Sequence, residues 1–113
     1  MIKWKNLTAE EEIDLIKSES EVHPVLIFKH STRCSISASA KDRLERKWDD
    51  TQANGIVPYY LDLLNYRSVS NKIAEEFGVM HQSPQVLLIR NGKAIFNTSH
   101  MAINFDEIKQ QPV

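Results

Sequence analysis

Cysteine is almost absent: Cys34 is the only one in 113 residues. That scarcity excludes an internal disulfide framework and a cysteine-based zinc cluster within one chain, so any redox chemistry must involve a second molecule. Charge of one sign is equally lacking, since 14 basic residues face 15 acidic ones for a net charge of −1. Neither a nucleic-acid surface nor a polybasic membrane patch fits that balance. No apolar stretch approaches the ~20 residues of a membrane span; the longest runs, around Val25 and Val86, are far shorter. The N-terminal residues contain no apolar export region and move quickly into a Glu-rich segment, so a cytoplasmic location is expected. The four histidines, His23, His30, His81 and His100, show no short metal-ligand spacing, and no metal centre is expected.

With 42% hydrophobic residues, the chain can bury one proper core, which gives a single domain over residues 1–113. Thr8, with Glu11 three residues on, predicts a capped first helix whose buried stripe is Ile13, Leu15 and Ile16. Val25 to Phe28 is a short branched apolar run after Pro24, which predicts a central strand covered on both faces. A helix should follow Cys34, with Ile36, Ala40, Leu44 and Trp48 on its apolar face and a solvated charge run elsewhere. Asn54-Gly55 marks a turn before a second central strand from Ile56 to Leu63, with Pro58 near its start. Ser68 is placed to cap a third helix through Val69, Ile73, Ala74 and Phe77, ended by Gly78. Two strand patterns, 85–90 and 93–97, flank Asn91-Gly92, the dipeptide that a type I′ hairpin favours. Asn104 with Glu107 then repeats the capping signature for a terminal helix. The order is helix, strand, helix, strand, helix, strand, strand, helix, so the fold class is α/β with a mixed sheet.

The stretch that carries chemistry runs from His30 to Ser37. It reads as strand, short turn and helix, which puts Cys34 at a helix N-terminus beside the cationic Arg33. Free N–H groups and the positive dipole end favour the thiolate there, and the thiolate is the nucleophile. Taken alone, a lone cysteine also fits a small buried hydrophobe. Its neighbours Thr32, Arg33, Ser35 and Ser37 are polar, which suits an exposed turn instead. Ser37 occupies the position, three residues on, from which a second thiol would resolve a mixed disulfide. A serine cannot supply a soft nucleophile, so exchange at Cys34 would be monothiol.

Helix, strand and hairpin in this order resemble the thioredoxin fold. The resemblance implies a single thioredoxin-like domain: a mixed central sheet flanked by helices on both faces, with a C-terminal β-hairpin and helix. It also implies that Pro84 is a cis-proline lying against Cys34, and that the Ser83 backbone presents its N–H and C=O to a thiol substrate. The segment from Phe28 to Ala38, followed by 66–71 and 81–85, is similar to the monothiol bacilliredoxins over nearly the whole chain. Members of that family carry Thr-Arg-Cys-Pro-Ile-Ser; here Ser35 replaces the proline, which removes a pre-organised φ and adds a donor. The family implies removal of a low-molecular-weight thiol, bacillithiol or a similar one, from mixed disulfides on S-thiolated client proteins, with a role in the stress response. The thiol is then a co-substrate, and no tightly bound cofactor is expected. Arg33 would stabilise the thiolate and steer carboxylates of the small thiol, while Thr32 and Ser37 would donate hydrogen bonds to sulfur. His30 and His81 are placed near the site, where one of them could tune Cys34. A monomer or weak dimer is expected. The alternative from another class is a redox-inactive thioredoxin-fold module that binds proteins. An iron–sulfur carrier of the monothiol glutaredoxin type is less favoured, because Ser35-Ile36 stands where those proteins have Gly-Phe.

Overall fold

The computed structural model describes residues 2–113, and its sheet is built about the run expected to be central. Strand β2 (Val25–His30), preceded by β1 (Lys5–Asn6), is buried at all six positions. It lies between β3 (Val57–Asp62), to which it is parallel, and β4 (Gln85–Arg90), to which it is antiparallel. With β5 (Lys93–Ser99) the strand order is β1-β3-β2-β4-β5. Two hydrophobic clusters follow from the alternation along β2. Val25 and Ile27 point into one with Ile13, Ile16, Val69 and Ile73, and Leu26 and Phe28 into the other with Ala40, Leu44, Phe105 and Ile108. Helices α1 (Glu12–Glu19) and α3 (Arg67–Phe77) therefore cover one face, and α2 (Ser35–Lys47) and α4 (Phe105–Lys109) the other. This is the mixed sheet with helices on both faces that the sequence predicts.

Local chemistry sets most boundaries. Asn91 and Gly92 both have positive φ, at 53° and 74°, as the hairpin turn between β4 and β5 requires. Gly78 ends α3 in the left-handed conformation. Asn104 caps α4 by accepting a hydrogen bond from the Glu107 N–H at 2.8 Å. Pro58 is tolerated in β3 because the two-residue β1 pairs only with Tyr59 and Tyr60 and stops short of it.

Several expectations are corrected. Helix α1 begins at Glu12 rather than after Thr8, and Glu12, not Glu11, closes the box by accepting from the Thr8 and Ala9 N–H groups. Leu15 is exposed, as is Ile36 in α2, because the buried stripe on each helix is narrower than its apolar content. Arg67, not Ser68, starts α3, whose flanking Tyr66 provides no side-chain cap. Strand β3 ends at Asp62, and β1 and a 3₁₀ turn at His100–Ala102 lie in segments too short to show periodicity.

Candidate active site

Cys34 stands where the turn after β2 becomes α2. Its N–H donates to the Ser31 carbonyl at 3.2 Å, closing the turn, and its carbonyl accepts from the Ala38 N–H at 3.0 Å, opening the helix. The residue is the N-cap, with φ −110° and ψ 121°, and is half-buried. The dipole placement expected for the sulfur is present, but Sγ takes no capping hydrogen bond from the first turn. Thr32, Arg33 and Ser35 are exposed around it. Ser35, at the first helical position, presents its side chain to solvent where a proline would have fixed the backbone.

Ser37 is positioned differently from expectation. It is fully buried, and its Oγ accepts from the Ser31 N–H at 3.0 Å and shares a hydrogen with His30 Nδ1 at 2.6 Å. Three residues on from the N-cap, the side chain turns in toward the sheet, where its hydroxyl ties α2 to β2. It braces the turn instead of donating to sulfur. His30 packs its ring against Phe28 and Tyr60. Burial holds its pKa below the ordinary value, as does the nearby Lys41 charge, against the opposing pull of Asp62 and Glu45. Its one side-chain hydrogen bond among the described residues is the one to Ser37.

Pro84 enters the site region from β4. The Ser83–Pro84 peptide bond is cis, and Gln85, the next residue, pairs across the ladder with Lys29 of β2. The bend therefore lies at the end of the sheet that carries the Cys34 turn. The Pro84 carbonyl accepts from His100 N–H at 3.0 Å. Among the described residues no backbone hydrogen bond uses the Ser83 N–H or C=O, and Ser83 Oγ is buried with no partner.

Sequence reasoning missed Lys29. It is fully buried, and its ammonium donates to the Ser70 carbonyl and to His81 Nδ1, each at 3.3 Å. One signal was available: a lysine that directly continues an all-apolar central strand must go where that strand's side chains go. Burial lowers its pKa from 10.5 to about 8, and burial with the Lys29 and Arg67 charges lowers that of His81. The cost of burying this cation is fully present below about pH 8. As pH rises from there toward 10.5 the folded protein has lost a proton that the unfolded chain still holds, so stability should climb, by at most about 1.4 kcal/mol per pH unit. Urea denaturation from pH 7 to 10 checks this; Lys29→Met should flatten that part of the profile, and an equal slope in the variant would refute it.

A scan against family models matches the monothiol bacilliredoxin (BrxC) family over residues 5–108. The chain belongs to that family. Its redox character follows at the level of the family, as does a thiol-related partner. Among solved structures, a protein described as a candidate oxidoreductase with a thioredoxin fold is 30% identical and superposes with a TM-score of 0.79, covering 93% of this chain and 89% of that one. Thioredoxin from Trypanosoma brucei brucei, 14% identical, gives a TM-score of 0.74 over 96% of this chain and 86% of its own. Thioredoxin from Malassezia sympodialis, 12% identical, gives 0.71 over 88% and 81%. The last two show the thioredoxin fold alone. Within this bacilliredoxin, Cys34 and cis-Pro84 thus occupy one end of a thioredoxin sheet, with a serine braced into the core three residues beyond the sulfur. No helix among the described residues is long and apolar enough to cross a membrane.

Proposed function

We propose that this bacilliredoxin is a monothiol thiol-disulfide oxidoreductase that removes a low-molecular-weight thiol, bacillithiol or a similar one, from S-thiolated proteins. The observation that carries the reading is the burial of Ser37 beneath a half-exposed Cys34. It leaves one sulfur at the helix N-terminus, open to a second molecule, and nothing beside it that can finish the exchange.

The Cys34 thiolate attacks the small-thiol sulfur of the protein mixed disulfide. The new bond joins Cys34 to that sulfur, the old S–S bond breaks, and the client sulfur leaves as a thiolate that takes up a proton. A second small thiolate then attacks the small-thiol sulfur of the Cys34 adduct, releasing Cys34 and a symmetric small disulfide, so each two-electron step balances. Arg33 stabilises negative charge at the turn, and Thr32 and Ser35 offer hydroxyls to the incoming thiol. The unused Ser83 N–H and C=O next to Pro84 suit an extended client segment, which would add as a short strand and be recognised with little regard to its side chains. The reading places the protein in the reducing cytoplasm, as a monomer or weak dimer, at work during stress that S-thiolates proteins.

Mixing the reduced protein with a bacillithiol-modified client and reading intact masses tests it. The client should lose the mass of the small thiol and this chain should gain it on Cys34. A client that stays modified while still binding the protein would replace the oxidoreductase by a protein-binding module.

A further inference from the structure

Four consecutive residues ahead of β4, Met80 to Ser83, make no backbone–backbone hydrogen bond among the described residues. The chain is pinned on either side of them, by the Val79 N–H on the Ala74 carbonyl and by the His100 N–H on the Pro84 carbonyl. Between those points the segment is held by side chains that come up from inside the sheet. Gln85, buried in β4, donates to the Met80 carbonyl at 3.0 Å and accepts from the Gln82 N–H at 3.4 Å. Lys29 stands directly opposite Gln85 in the ladder, so the two side chains share a face. Its ammonium and the hydroxyl of the buried Ser70 both reach His81 Nδ1, each at 3.3 Å. An ammonium only donates, so Nδ1 accepts and the imidazole proton sits on Nε2. No carboxylate pairs with Lys29 among the described residues, and burying a cation without one is costly. A methionine of similar length would fill the space without that cost, so packing alone does not account for a lysine at this position.

We infer that Lys29 is a positioning residue for exchange with protein clients: through His81 it holds the Met80–Ser83 segment where the Ser83 N–H and C=O are open to an incoming chain. The inference rests on the exchange reading above, in which a client adds along Ser83, and names the residue that keeps that edge in place. An edge that must offer free N–H and C=O groups to a partner cannot be fixed by its own backbone bonds, because those would consume the same groups. Side-chain anchors avoid the conflict. They grip the Met80 carbonyl, the His81 ring and the Gln82 N–H, and they leave the Ser83 backbone unoccupied. Lys29 joins three elements in doing so, since it leaves β2, meets the Ser70 carbonyl on α3 and ends on the segment before β4. These anchors lie on the face covered by α1 and α3, whereas Cys34 opens α2 on the other face. Lys29 therefore acts on where the client sits and not on the sulfur.

The experiment measures kcat/KM for a bacillithiol-modified client protein and for 2-hydroxyethyl disulfide, which has no chain to lay along Ser83. Lys29→Met and, independently, His81→Phe should each lower the ratio of client to small disulfide by about tenfold, the scale of one hydrogen bond to a charged group, through a higher client KM. The double variant should lose no more than either single one, because both remove the same link. His81 is half-buried, so its replacement carries the test even where Lys29→Met does not fold. Long-range proton–nitrogen correlation spectra of the native protein supply a readout without a variant: His81 should be the Nε2–H tautomer, and an Nδ1–H tautomer would overturn the link. A ratio that neither variant moves, losses that add in the double variant, or equal slowing of both substrates would overturn the positioning role and leave Cys34 exchange standing. Native protein that exchanges with neither substrate would overturn both.

Discussion

Replacing Cys34 by serine is expected to lower thiol-disulfide exchange by a factor on the order of 10³ or more, the scale seen when a covalent nucleophile is deleted. No other thiol exists in the chain to substitute for it. A serine hydroxyl stays protonated at neutral pH and is a poor nucleophile toward sulfur. The substitution itself removes little structure, because Cys34 belongs to neither hydrophobic cluster and takes no side-chain capping bond. Its melting temperature should therefore change by no more than a few degrees. Release of a small thiol from a modified client, followed by mass, checks the rate. A variant that still strips the client at the native rate would mean that the sulfur takes no part.

The second large effect comes from Ser37→Cys. The mixed disulfide on Cys34 should then collapse about a hundredfold faster or more at millimolar external thiol, because the introduced sulfur attacks from within the molecule. Cα atoms three residues apart in a helical turn stand about 5 Å apart, inside the roughly 4.4–6.8 Å between Cα atoms that a disulfide bridges. Well-oriented intramolecular groups reach effective concentrations far above any cellular thiol. The exchange loses two contacts, to Ser31 N–H and His30 Nδ1, so some looseness of the turn is expected with the gain. Stopped-flow decay of the adduct measures its lifetime, and a variant whose adduct lasts as long as the native one would show that the buried position cannot reach Cys34.

Both expectations trace to a part of the molecule that the residues reveal unequally. The central strand, the hairpin at Asn91-Gly92, the Asn104 cap and the turn at Cys34 were legible because each depends on neighbours within a few positions. Boundaries shifted where two residues could play one part, as with Glu11 and Glu12 against Thr8, or Arg67 and Ser68 at the start of α3. Which apolar residues are buried was less legible, since Leu15 and Ile36 satisfy helical spacing yet face water. Ser37 and Lys29 lay furthest from reach. Their partners, His30 for the first and Ser70 with His81 for the second, come together only once the strand has chosen which side each residue faces. A motif names Ser37 as the absent second thiol; packing makes it a brace.

Among the described residues the two hydrophobic clusters hold neither cysteine nor methionine. The described members of both clusters are hydrocarbon or aromatic, so oxidation of sulfur among these residues removes no contact within them. Oxidation of the exposed Met80 and Met101 is therefore expected to alter the surface while both clusters persist. An adduct on Cys34, which belongs to neither cluster, is likewise expected to leave the packing of both faces intact.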